Sequence, residues 1–201
     1  MAAGHAATYV LHHAAQHPGA FDCIALIAPT WRGPLPTMAG NDRRPFGWIR
    51  RAVEVPLIGP LLYRLNVNSF VIRKMAAGHV YSDADWLTGA RLAEKRQVNA
   101  SPSARFASAA FITGGLDRVA HRGDFLALAA RAGAPLLVVY GGDTPARSRA
   151  EMEALAALPG IRTRRLARGK LSLHEEFPDE VSAAVKPFLA AQSCCAITEW
   201  S

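Results

Sequence analysis

The residues able to do chemistry are few, and their spacing rules out several classes of site. The chain has seven histidines, at His5, His12, His13, His17, His79, His121 and His174, and they are not spaced as metal ligands. His13 and His17 stand one helical turn apart, but no Glu lies between them, so the zinc-protease pattern fails. Cys23 belongs to an apolar run, and the adjacent Cys194 and Cys195 have neither disulfide nor metal-ligand spacing. Gly141-Gly142 is too short to be a phosphate loop, and the first serine is Ser69. No metal and no cofactor are expected. Asp143 remains at the end of an apolar run, with His174 the only histidine after it.

The elements that must position these residues can be read from hydrophobic patterning. Residues 5–17 suit a helix with Val10, Leu11 and Ala14 on one face, ended by His17-Pro18-Gly19. Residues 22–28 and 135–141 are apolar without alternation, as in strands of a sheet covered on both faces. Residues 161–167 form a weaker, basic strand suited to a sheet edge. Helical stretches separate these runs, so the expected class is α/β with a parallel sheet. In such sheets chemistry lies beyond the carboxyl ends of the strands. Those ends are Pro29-Thr30-Trp31, Gly142-Asp143-Thr144 and the loop after Leu166.

The intervening segments have a different character. Trp31-Arg32-Gly33-Pro34-Leu35-Pro36 reads as a rigid, turn-rich connector. From Pro45 to Gln97 several amphipathic helices are expected, broken at Pro56 and Gly59-Pro60. Leu61, Leu62, Leu65, Val67, Phe70, Val71 and Ile72 give them an apolar face that needs a partner surface. Further helices are expected at 104–114, 117–132 and 145–158, the last with Glu151, Met152 and Leu155 typical of a surface helix. A final helix over 178–191 directs Val181, Ala184, Val185, Phe188 and Leu189 inward, and residues 192–201 read as an unstructured tail.

Composition bounds the function classes. Half of the 201 residues are hydrophobic and 19% are charged, a globular balance with enough chain for a core. The net charge of +7 invites a nucleic-acid reading, but the arginines are scattered and no recognition motif accompanies them. No nucleic-acid partner is expected. No apolar run is long enough to span a bilayer, and the start lacks a signal-peptide pattern, so a cytoplasmic protein without stable membrane insertion is expected.

Taken in order, these pieces resemble the α/β-hydrolase family. The helix ending in His17-Pro18, with Ile24-Ala25-Leu26-Ile27-Ala28-Pro29, is similar to that family's helix behind the nucleophile and its sixth strand. Residues 33–100 resemble its helical cap, Pro135–Asp143 its seventh strand and acid loop, and His174-Glu175-Glu176-Phe177-Pro178 its closing His loop. Ala28–Pro36 further resembles a little-characterised branch found in cyanobacteria and plants. The resemblance implies a partial α/β-hydrolase fold. Residues 1–32 and 101–191 would form the core, its N-terminal half absent, with 33–100 as the cap.

It also implies a nucleophile on a sharp strand-to-helix turn, then an acid and a His in chain order. Gly4-His5-Ala6-Ala7 is similar to that turn, with either Gly4 or Ala6 in the nucleophile slot. The Gly4 register keeps Val10 and Leu11 inside and is preferred, and neither register supplies a nucleophile. Asp143 is the candidate acid, one residue before the family's usual position at Thr144, and it serves equally well as a helix cap. His174 is the candidate base, although alignment on Glu175-Glu176-Phe177-Pro178 puts the usual His at Leu171. The resemblance therefore implies a shortened protein whose parent activity is hydrolysis of an ester or related bond in a small apolar substrate, impaired here. The alternative is a non-catalytic ligand-binding module on the same fold. With no strand ahead of 22–28, an exposed sheet edge and self-association are expected.

Overall fold

The computed structural model describes residues 1–40 and 46–197. Its centre is a four-stranded, wholly parallel sheet in the order β1-β2-β3-β4, formed by Ala2–Ala3, Ile24–Ile27, Leu136–Gly141 and Arg162–Leu166. Every residue of β2 and β3 is buried, which is why neither strand alternates in sequence. Ile24, Leu26, Ile27, Val138 and Val139 are almost completely enclosed. Each fully buried aliphatic side chain contributes roughly 1.5–3 kcal/mol, so these strands supply a substantial share of the core's stability. Strand β4 is exposed along most of its length, as its basic sequence predicts for a sheet edge.

Strand β2 is not outermost. Ala2 and Ala3 pair with Leu26 and Ile27, correcting the expectation that nothing lies ahead of β2. Two alanines carry no strand pattern, so only tertiary pairing identifies them.

Helices cover the sheet: α1 (Ala6–Gln16), α8 (Arg122–Ala130), α9 (Ala146–Ala156) and α11 (Pro178–Ile197) around the core, with the short α10 (Leu173–Glu176) before α11. Between β2 and α8 lie α2 (Pro34–Ala39), α3 (Gly47–Glu54), α4 (Ile58–Asn66), α5 (Ser69–Met75), a π-helical turn (Ala76–Val80), α6 (Gly89–Asn99) and α7 (Ala104–Ile112). Helix α7 packs against α2, α3 and α6, so the helical layer continues past residue 100.

Four local expectations are corrected. Pro34 begins α2 rather than extending a connector, because proline at the first helical position loses no hydrogen bond. Glu151 is buried instead of facing solvent. The helix expected to stop at 191 runs to Ile197, so residues 192–197 are not an unstructured tail, and 198–201 lie outside the described residues. Val181, Val185 and Phe188 face the core as expected, but Leu189 is 39% exposed. On the apolar face expected of the inserted helices, Leu61, Leu65 and Phe70 are exposed, while Leu62, Val67, Val71 and Ile72 are half-buried.

Candidate functional site

Three loops leave the carboxyl ends of the parallel strands, and each carries one of the candidate positions. The first joins β1 to α1. Gly4 stands at φ +56°, its amide donates to Ile27 O at 2.9 Å, and its carbonyl accepts from Thr30 N at 3.0 Å. The chain therefore turns sharply from strand to helix on a left-handed residue, a conformation glycine adopts without steric cost. A Cβ at Gly4 would meet no atom within 4 Å. Ala6, the other candidate, is already the first residue of α1. His5 lies between them: Nε2 is 3.6 Å from Asp117 Oδ1, and the ring stands edge-on to Tyr9 and Phe111.

The second loop follows β3. Asp143 is exposed, and its Oδ2 accepts from Ser82 Oγ and from the Gly169 amide, each at 3.0 Å. The carboxylate thus ties this loop to the segment before α6 and to the third loop. Thr144 is buried, and its hydroxyl donates to Gly141 O at 2.8 Å, which closes the turn. The second and third loops touch backbone to backbone. A Cβ on Gly141 would lie 2.1 Å from Gly169 O, and one on Gly142 would lie 2.4 Å from Ala167 O. Glycine is required at both positions because no side chain fits.

The third loop leads from β4 into α10, which carries His174. Leu173 beside it is fully buried and anchors the turn, and Leu171 packs partly buried against the core. His174 Nδ1 is shielded from solvent and has no hydrogen-bond partner among the described residues. Asp143 and His174 are joined by neither a hydrogen bond nor an ion pair among the described residues. The fold brings the two loops together but leaves these two side chains uncoupled.

Acids that patterning did not single out as functional do much of the positioning. Glu175 accepts from Tyr81 Oη at 2.7 Å and from Lys95 Nζ at 3.1 Å. Burial alone would raise its pKa, but the bonds from Tyr81 and Lys95 outweigh that and hold it below the ordinary carboxylate range. Burial, together with the hydrogen bond to Glu175, pushes the Tyr81 phenol well above its usual value. Glu176 accepts from the amides of Ser82 and Asp83 at 2.8 and 2.7 Å. Both carboxylates therefore clamp segment 81–83 and α6 onto the loop that carries His174.

Glu151 performs the same service behind the loop after β2. It accepts from Trp31 Nε1 at 3.0 Å, Arg32 at 3.1 Å, and Arg122 at 2.8 and 2.9 Å through two nitrogens. Burial would raise its pKa, but Arg122 and Trp31 bond the carboxylate strongly enough to lower it. No sequence signal joins these partners, which come from two separate segments, the loop after β2 and the start of α8. Among the described residues no group of three or more His, Cys, Asp or Glu could hold a metal ion. No helix among them is long and apolar enough to cross a membrane.

This architecture is shared with solved structures. A candidate lipase from Acinetobacter baumannii AYE superposes with a TM-score of 0.64 at 13% identity, over 96% of this chain and 60% of that one. An esterase from Thermogutta terrifontis gives 0.60 at 19% identity, over 96% and 65%. An enol-lactonase from Burkholderia xenovorans LB400 gives 0.59 at 20% identity, over 94% and 64%. The chain thus has an α/β-hydrolase fold, and it spans about 60–65% of the length of these structures. No protein-family profile and no curated protein matches its sequence.

Proposed function

We propose that the protein derives from hydrolases of this fold that cleave an ester or related bond in a small apolar substrate. In this reading Gly4 occupies the nucleophile slot, Asp143 is the acid and His174 the base. The observation that carries it is the left-handed Gly4 at the strand-to-helix turn, with space beside its Cα for a side chain. A nucleophile elbow needs that conformation so that its hydroxyl or thiol projects beyond the sheet. Glycine supplies the geometry without the reactive atom, so turnover by this chain is weak or absent. Hydrolysis of p-nitrophenyl butyrate tests this directly. The rate expected is that of buffer, and a rate well above it would sink the assignment.

The second reading, a ligand-binding module without turnover, is favoured by the bonds of Asp143. Its carboxylate holds Ser82 and Gly169 rather than orienting His174. It predicts saturable binding of an apolar ester or acid by calorimetry with no product formed. Absence of binding across such a panel would remove it.

A further inference from the structure

A cavity of about 500 Å³ lies among the inserted helices, lined only by residues between Pro60 and Arg105 and so separate from Asp143 and His174. Three arginines from three different elements border it: Arg64 of α4, Arg96 of α6 and Arg105 of α7. No Asp or Glu lines it. None of the three has a carboxylate partner among the described residues, whereas Arg32, Arg122, Lys95, Arg149 and Arg168 are each matched to a glutamate. Arg105 adds an independent sign. It is half-buried, and its Nε is shielded from water with no hydrogen-bond partner. A buried guanidinium N–H left unpaired is costly and calls for an acceptor.

We infer that this cleft binds the phosphate-monoester group of an organic molecule. Three guanidinium groups without a carboxylate exceed what a single negative charge would balance. A phosphate monoester brings close to two negative charges and three acceptor oxygens, to which the planar donor forks of arginine are suited. Tyr63 and Val67 supply surface for an organic body, and the volume falls in the range of small-molecule sites. The site is independent of the hydrolase reading, because no residue at the ends of the strands contributes to it.

The probe is phenyl phosphate, titrated into the whole protein by calorimetry at low salt. Vesicles of phosphatidic acid in phosphatidylcholine are tested beside it by co-sedimentation, since a lipid headgroup offers the same group. One saturable site for phenyl phosphate is expected, and Arg105→Gln and Arg96→Gln should each weaken it about tenfold or more. Arg164→Gln, on the exposed β4 strand, should leave the affinity unchanged, with circular dichroism and melting temperature confirming the fold of every variant. Vesicle binding that needs Arg105 and Arg96, without binding of phenyl phosphate, supports the same site filled by a lipid headgroup. No binding of either probe overturns the inference. Binding weakened equally by Arg164→Gln also overturns it, because diffuse positive charge would then explain the effect.

Discussion

Replacing Glu151 with Gln is the most informative perturbation of the scaffold. The substitution keeps the shape but removes the charge that Trp31, Arg32 and Arg122 all address. Arg32 has a side chain only 11% exposed, so water cannot replace the lost carboxylate there. Arg122 is 52% exposed and can be rehydrated. Breaking a buried ion pair by removing one partner costs about 3–5 kcal/mol. With one of the two arginines able to reach solvent, the lower end applies, about 3 kcal/mol. For a chain of this size that lowers the melting temperature by about 6–12 °C. The acid limb supplies a second check. A carboxylate whose pKa is lower in the folded than in the unfolded chain stabilises the fold above its unfolded value, near pH 4.5, and ceases to as pH falls through the folded value. The wild type and Glu151→Gln should therefore differ most near neutral pH and converge in stability as pH falls through the folded value. Chemical denaturation across pH measures both effects. A loss under about 1 kcal/mol at neutral pH, or a gap that persists in acid, would refute the reasoning.

Two other substitutions probe how the loops are held. Gly141→Ala puts a Cβ 2.1 Å from Gly169 O, backbone against backbone, so a loss of about 3 kcal/mol or more in denaturant unfolding is expected. Retention of wild-type stability there would mean the two loops do not touch. Tyr81→Phe removes the donor to the charged Glu175 and should cost about 1.5–3 kcal/mol by thermal melting, with Lys95 still paired to that carboxylate. A neutral result would show that the clamp on segment 81–83 does not depend on the phenol.

What the sequence reveals and what it hides divide along physical lines. Strands β2 and β3 are legible because burial on both faces demands unbroken apolar runs. The placement of Asp143 and His174 in segments beyond the strand ends is legible, because the connections leave a parallel sheet there. Strand β1 is invisible because two alanines have no period. The start of α2 is misread because Pro34 and Pro36 signal a turn as strongly as they signal a first helical turn. Glu151 reads as a surface residue because its helix shows where the apolar side lies but not which arginines approach from elsewhere. The clamp of Glu175 on Tyr81 and Lys95 is hidden for the same reason, since its partners are 94 and 80 residues distant.

On the proposed reading Gly4 stands where a nucleophile would project, and labelling with a fluorophosphonate probe decides whether it does. Wild type and Gly4→Ser are each incubated with the probe and their intact masses measured. The Cβ meets no neighbour at this position, and the left-handed backbone costs the serine only about 1–2 kcal/mol, so the variant should fold. An unmodified wild type and a single adduct on the Gly4→Ser protein, carried by the new side chain, are expected. A labelled wild type, or a folded variant that takes no label, would contradict the reading.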